Sequence, residues 1–183
     1  LNLQTFGTEQ RDWLLHSDQI APAWQSAWTA ACDEALDRVA QAYAHTPHTV
    51  LRLHGDCHPG NVLWTPMDMP QGGPHFVDLD DARMGPAIQD IWMLINGEGV
   101  QKQQQLAALL DGYEQMRPLD RRELRLIEPL RTLRILHYSA WLARRRDDPA
   151  FVQNFPWFGS DDYWAGQTQA LREQCMAMDE AAF

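Results

Sequence analysis

Residues 54–61 of the chain read His-Gly-Asp-Cys-His-Pro-Gly-Asn, and residues 78–81 read Asp-Leu-Asp-Asp. Each segment follows a short run of bulky apolar residues, which predicts a strand that ends in a polar loop. Asn61 follows Asp56 by five positions, and Asp78 follows Asp56 by 22 positions. The sequence therefore places three oxygen-bearing side chains in the loops that follow two predicted strands.

This set of side chains fits the transfer of a phosphoryl group from ATP. That reaction needs a carboxylate to orient the attacking hydroxyl and accept its proton. It also needs an amide and a second carboxylate to hold Mg²⁺ against the phosphates. The spacing of Asp56 and Asn61 matches the H-R-D-x-x-x-x-N loop of protein kinases, and Asp78 lies where the D-F-G aspartate is expected. The neutral amide of Asn61 would bind the metal without adding negative charge near the γ-phosphate.

The first loop closely resembles the H-G-D-x-H-x-x-N loop of aminoglycoside phosphotransferases and choline kinases, which have a protein-kinase-like fold. The segments LRLHGDCHPGNVLW, FVDLDDARMGPAIQDIWML and NFPWFGSDDYW further resemble the bacterial stress response kinase A family, also called YihE-like. The resemblance covers nearly the whole chain. It implies a cytoplasmic serine/threonine protein kinase, itself a phosphoprotein, that uses ATP and Mg²⁺ and acts in envelope and oxidative stress.

The resemblance also implies a role for each residue that matches the motif. Asp56 would be the catalytic base. Asn61 and Asp78 would bind Mg²⁺ and thereby the nucleotide, and Asp78 would also take part in catalysis. Asp90 lies in the segment Gln-Asp-Ile-Trp and resembles a buried aspartate that braces the catalytic loop from a helix.

Three further residues near the two loops are candidates for supporting roles. We expect His54 to brace the loop through a hydrogen bond to the backbone. His58 has two open roles, contact with substrate or phosphate and bracing of the loop. Asp80 could help to hold a second metal ion or lie with Asp81 in a solvated acidic turn. A zinc site at His54, Cys57 and His58 is not expected, because the spacing is too tight and no second Cys/His pair lies nearby.

Most of the remaining sequence has the apolar spacing of amphipathic helices. Helices are predicted over residues 8–15, 22–45, 87–95, 102–116, 120–146 and about 161–178, and strands over 50–53, 62–64 and 76–77. Residues 65–75 are predicted to be a loop. The pattern predicts a mainly α fold with a small β insert. It divides into leading helices (1–49), the two loops on short strands (50–85) and a helical subdomain (86–183).

The sequence before the first loop lacks what a complete kinase carries there, a Gly-rich loop and a strand lysine. Gly7 is the sole glycine before residue 55, and the single lysine, Lys102, follows Asp56. We therefore expect this chain to be the C-terminal lobe of a kinase-like fold, with the N-terminal lobe absent. As a fragment it should be inactive alone and bind ATP weakly or not at all. Its truncation should expose apolar surface that self-associates.

The composition limits the partners and the compartment. The chain has 15 Lys and Arg against 25 Asp and Glu, a net charge of −10, which disfavours nucleic acid and anionic membranes as partners. No apolar run approaches the ~18 residues that a membrane span needs. The three cysteines are far apart in sequence, which favours a reducing compartment, and no signal peptide is recognised in the first residues.

Two other functions stay open beside a protein kinase with a Ser or Thr acceptor. A small-molecule kinase acting on an aminoglycoside, choline or a homoserine-like alcohol would use the same loop, and the acidic chain would suit a cationic acceptor. A non-catalytic kinase-like scaffold would show no nucleotide turnover even with the missing lobe restored. The motif alone does not separate these three functions.

Overall fold

The computed structural model describes residues 1–180, which form two compact units. One unit holds residues 47–127 together with Leu1, and the other holds residues 2–46 and, of the described chain, residues 128–180. The predicted mainly α fold with a small β insert is confirmed. The predicted division at residues 49 and 85 stays a prediction. The compact units change at residues 46 and 127.

Seven helices and four strands are found in the described residues. The helices are α1 (Glu9–His16), α2 (Pro22–His45), α3 (Ile88–Trp92), α4 (Gly99–Glu114), α5 (Ile127–Arg144), α6 (Pro149–Asn154) and α7 (Asp161–Glu180). The strands are β1 (Val50–Leu53), β2 (Val62–Thr65), β3 (Gly73–Phe76) and β4 (Arg83–Pro86). None of these helices is both long enough and apolar enough to cross a membrane.

The helical unit is built on the packing of α2 against α7. Pro22 opens α2 as predicted, because its fixed φ suits the first turn and its missing N–H is not needed there. Trp28 of α2 and Trp164 of α7 are fully buried and meet edge to face, with ring centroids 5.9 Å apart. Burial of each aromatic side chain contributes roughly 2–3 kcal/mol, so these helices form because their apolar faces have a partner.

The unit that carries the polar loops contains two small antiparallel sheets. Strand β1 pairs with β4, with Leu53 opposite Arg83, and β2 pairs with β3, with Val62 opposite Phe76. Two-stranded sheets are marginal on their own in water, so packing against other elements must support them. Each polar loop follows one strand from each pair.

The sequence misplaced several short elements. Strand β4 was not predicted, and β3 ends at Phe76, where the predicted strand began. Pro74 lies inside β3, which a proline tolerates on the edge of a sheet. Helix α3 is shorter than predicted. Helix α6 was missed, although Asp148 caps it by accepting a hydrogen bond from the Ala150 N–H at 2.9 Å.

A buried glutamate ties the start of β1 to the start of α3. Glu123 is 2% exposed, and its carboxylate accepts hydrogen bonds from the Thr49 N–H at 3.1 Å and the Ile88 N–H at 3.4 Å. These bonds satisfy two backbone donors at the ends of separate elements. The start of α3 is fixed relative to the start of β1 in this way, and no local pattern in the sequence predicts it.

The β2–β3 hairpin exposes large apolar side chains. Leu63 is 56% exposed, Trp64 65% and Phe76 52%. Neighbouring exposed apolar groups of this size favour association with another surface. They support the expectation that this chain self-associates, which stays a prediction.

Candidate active site

The loop that follows β1 and the loop that follows β3 lie side by side. His54 Nε2 donates to the Val77 carbonyl at 2.8 Å, and the Val77 N–H donates to the Asn61 carbonyl at 3.0 Å. The first of these is the type of backbone contact expected for His54. Because Val77 directly precedes Asp78, the two bonds bring the backbone at Asp78 next to the loop that carries Asp56 and Asn61.

Gly55 allows the backbones of the two loops to touch. Its φ is +89°, and a Cβ atom at this position would lie 2.2 Å from the carbonyl oxygen of Asp81. Any residue other than glycine is therefore disfavoured here, both by the positive φ and by the clash with the Asp81 carbonyl. The glycine of the His-Gly-Asp sequence is needed because the second polar loop crosses directly over it.

Asn61 is buried and is held by the loop that contains Asp56. Its Nδ2 donates to the Asp56 carbonyl at 3.0 Å, and its backbone N–H donates to the His58 carbonyl at 2.9 Å. The first bond uses the nitrogen of the side-chain amide. The amide oxygen is thus the atom that could face a cation, as the predicted metal role of Asn61 requires.

Asp78 has an unusual backbone conformation at the start of its loop. Its φ is 63° and its ψ is 65°, in the left-handed region, which costs a non-glycine residue about 1–2 kcal/mol. The side chain is exposed and does not cap the turn of Leu79–Asp81 that follows. Strained residues of this kind concentrate at functional sites, and here the strain accompanies a carboxylate that is open to solvent.

Helix α3 holds the His-Gly-Asp segment from the other side. The Asp90 carboxylate accepts the His54 N–H on Oδ2 at 2.7 Å and the Gly55 N–H on Oδ1 at 2.9 Å. Partial burial raises the pKa of Asp90, and the two backbone bonds oppose that shift. The contacts are those that a bracing role needs, although Asp90 is partly rather than fully buried.

Gln89 contributes to the same contact and was not singled out from the sequence. It is 1% exposed, and its Nε2 donates to the Gly55 carbonyl at 3.3 Å. Its Oε1 accepts the Trp92 Nε1–H at 3.1 Å, which fixes the orientation of the amide. Consecutive residues of α3 therefore hold both the N–H and the C=O of Gly55. The one available signal was that Gln89 directly precedes Asp90.

The remaining acidic residues differ in their surroundings. Asp80 is exposed, whereas the Asp81 carboxylate forms an ion pair with the Arg83 guanidinium. No group of three or more His, Cys, Asp or Glu side chains within residues 1–180 could hold a metal ion. The pair expected to bind Mg²⁺ contains an amide and one carboxylate, so it does not depend on such a group.

Comparison with known proteins adds independent information to this geometry. Residues 3–127 match the phosphotransferase enzyme family. The chain belongs to this family. All the site residues considered above fall inside the matching range.

Relatives in this phosphotransferase family confirm the resemblance to stress response kinase A. The chain is 44% identical over 180 residues to stress response kinase A of Escherichia coli (strain K12). This alignment covers 98% of the chain and 53% of the relative. It is 47% identical over 161 residues to the serine/threonine protein kinase RdoA of Salmonella typhimurium (strain LT2). That alignment covers 88% of this chain and 47% of the relative. The chain spans about half the length of the curated relatives that it matches.

A large cavity adjoins both loops of this phosphotransferase chain. Its volume is about 1020 Å³, slightly above the roughly 300–1,000 Å³ that ligand pockets occupy. His54 and Asp90 contribute to its wall, which is otherwise mainly apolar. The apolar lining includes Leu53, Phe76, Leu79, Ile91 and Leu109.

Proposed function

We propose that the protein to which these residues belong is an ATP-dependent serine/threonine protein kinase of the stress response kinase A type. The proposal depends on one observation. The Asn61 side chain is bonded to the Asp56 carbonyl, and the Val77 N–H is bonded to the Asn61 carbonyl. These bonds hold together the loops that carry one carboxylate, one amide and a second carboxylate, the groups that phosphoryl transfer from ATP requires. The names of the relatives support the same activity.

In this proposal Asp56 is the base. Its carboxylate accepts a hydrogen bond from a Ser or Thr hydroxyl of a protein substrate and takes the proton as the hydroxyl oxygen bonds to the γ-phosphorus. The bond between the γ-phosphorus and the β–γ bridging oxygen breaks, and ADP leaves with the electron pair. The Asp56 side chain is 23% exposed, so a substrate can reach it while the surrounding backbone is held in place.

The side chains of Asn61 and Asp78 fit Mg²⁺ as ligands. One offers an amide oxygen and the other an exposed carboxylate, and Mg²⁺ is typically held by one or two carboxylates together with phosphates and water. The bound ion would neutralise the charge of the phosphates. A second metal ion at Asp80 stays a prediction, with an exposed carboxylate as its only support.

We also infer that the protein works in the cytoplasm. Cys32, Cys57 and Cys175 are free thiols, which is usual in a reducing compartment. The net charge of −10 repels nucleic acid and anionic membranes, which supports a protein substrate as the partner.

The Asp56→Asn substitution tests the proposal in the full-length protein. It keeps the shape of the side chain and removes the base, so kcat should fall about 10²- to 10⁴-fold. The thermal midpoint should change little, because the bond to Asn61 uses the backbone carbonyl of Asp56 and asparagine keeps an oxygen acceptor in the side chain. Asp37→Asn, at an exposed position on α2, serves as the control. Undiminished turnover in Asp56→Asn would contradict the assignment.

The acidic charge of the chain, −10, favours a second candidate, a small-molecule phosphotransferase with a cationic alcohol as acceptor. Labelled ATP should be offered with protein substrates and, in parallel, with an aminoglycoside, choline and homoserine. Labelling of Ser or Thr in protein supports the kinase, and labelling of the alcohols alone supports the second candidate. No transfer to any acceptor would favour a scaffold.

A further inference from the structure

We propose that His58 is a positioning residue for Asp56, acting through a hydrogen bond from its Nε2–H to one carboxylate oxygen. The proposal rests on the function proposed above, in which Asp56 is the base. His58 Nε2 lies 3.5 Å from Asp56 Oδ2. Catalytic hydrogen bonds are often long without substrate and shorten when it binds.

The backbone at Gly60 determines which nitrogen of His58 carries the proton. The Gly60 N–H donates to His58 Nδ1 at 3.0 Å. Because the amide is the donor, Nδ1 must act as the acceptor and carry no hydrogen. In the neutral ring the proton is therefore on Nε2, the nitrogen that lies 3.5 Å from Asp56 Oδ2. The ring can donate to the carboxylate without being charged.

Gly60 also leaves the space that the ring occupies. A Cβ atom at Gly60 would lie 2.8 Å from His58 Cε1 and 2.9 Å from Nδ1, which is closer than such atoms pack. The backbone fixes the same segment, since the His58 N–H donates to the Asp56 carbonyl and the Asn61 N–H donates to the His58 carbonyl, both at 2.9 Å. The ring is thus held from the backbone and from one edge, with Nε2 3.5 Å from Asp56 Oδ2.

The consequence concerns the second oxygen of the Asp56 carboxylate. A carboxylate that is held at Oδ2 presents Oδ1 in a fixed orientation to the hydroxyl of the substrate. Without the donor, the carboxylate loses the contact at Oδ2 and is less restrained about its last side-chain bond. A misplacement of about 1 Å in a reacting group can cost 10²-fold in rate. Loss of His58 should therefore lower kcat and leave the KM for ATP unchanged.

Two substitutions separate this role from bracing of the loop. In His58→Gln, the amide nitrogen can reach the position of Nε2 and donate to Asp56. In His58→Asn, the amide oxygen can take the position of Nδ1 and keep the bond to Gly60, but no donor reaches Asp56. In the full-length protein, kcat should stay within about threefold of wild type for Gln and fall about tenfold or more for Asn and Ala.

Gly60→Ala provides a test that leaves His58 itself unchanged. The added methyl group should displace the ring, so kcat should fall as in His58→Ala, and the double variant should lose no more than either single one. Thermal midpoints should be measured for every variant. If His58→Ala or Gly60→Ala does not fold, the comparison of His58→Gln with His58→Asn still tests the proposal.

Three results would overturn the proposal. Equal activity of Asn and Gln, or higher activity of Asn, would mean that His58 only braces the loop. A raised KM for ATP with unchanged kcat would mean that His58 contacts phosphate. Unchanged kcat in all variants would mean that it has no role in the reaction. Failure of the proposed function would be seen separately, as an absence of transfer by the wild type or full activity of Asp56→Asn.

Discussion

At the scale of single residues, Gly55 is the position where a small change should have the largest effect. Gly55→Ala would put a methyl group 2.2 Å from the Asp81 carbonyl oxygen at a φ of +89°. The two loops would have to move apart. We expect the free energy of unfolding, measured by urea denaturation, to fall by about 1–3 kcal/mol. Phosphoryl transfer should be lost as well.

Gly166→Ala is the matched control for that measurement. Gly166 lies on α7, has no atom within 4 Å of the added methyl group and does not have a positive φ. Alanine should increase stability there by up to about 1 kcal/mol, since it favours the helix. If Gly55→Ala were as stable as the wild type, the close contact between Gly55 and the Asp81 carbonyl would be contradicted.

Cys57 lies directly beside Asp56, and its burial determines its reactivity. The side chain is 4% exposed, and burial, aided by the charges of Asp90 and Asp56, raises the pKa of Cys57 to about 11. Because thiolate is the reactive form, iodoacetamide should label Cys57 very slowly at pH 7.5 in the folded protein and readily in urea. Mass spectrometry of the peptide measures this, and fast labelling of the folded protein would contradict it.

The same pKa shift predicts how stability depends on pH. An unfolded cysteine ionises near the ordinary value of 9.0, whereas folded Cys57 keeps its proton until about pH 11. The folded state therefore binds more protons in this range, and its stability should fall as the pH rises from about 9 to 11. Cys57→Ala should reduce this part of the pH dependence in urea denaturation curves.

At the scale of elements, α3 acts as the support of the catalytic loop through Asp90. Asp90→Ala removes the acceptor of two backbone N–H groups, and each unsatisfied donor costs about 1–3 kcal/mol. Asp90→Asn keeps one oxygen and should lie between Ala and wild type. Both stability and kcat should follow the order wild type, Asn, Ala. The control is Asp111→Ala, at an exposed position on α4, which should change neither stability nor kcat. If Asp111→Ala lost as much stability and kcat as Asp90→Ala, the bracing role of Asp90 would be contradicted.

The elements also differ in how far local sequence determines them. Helices α2 and α7 follow their predicted ranges closely, because apolar side chains at three- and four-residue steps define a helix face without further information. Strand β4 has the sequence Arg-Met-Gly-Pro, which has little strand propensity. It forms because β1 offers it a hydrogen-bonding edge, and that partner lies about 30 residues earlier in the chain.

At the scale of the whole molecule, residues 1–183 by themselves should bind Mg·ATP weakly. The sequence has no Gly-rich loop before Asp56 and no lysine there, which are the groups that grip the phosphates in a kinase. Isothermal calorimetry of this chain should show no saturable binding at micromolar nucleotide, and a micromolar Kd would contradict this expectation. Titration of the full-length protein under the same conditions is the comparison.

The sequence by itself determined the family, the three residues proposed to carry the reaction and the long helices. This was possible because short-range spacing and side-chain chemistry carry that information. Asp56 and Asn61 lie on one loop, and the loop that carries Asp78 could be recognised from its own sequence.

Only the tertiary structure decided how the loops are held. The contact of Gly55 with Asp81, the bonds from Gln89 and the link through Glu123 join residues far apart in sequence. The proton position on His58 depends on the direction of a single backbone N–H. The physical reason is that hydrogen bonds and close packing depend on where the backbone passes in space, which local propensity does not specify.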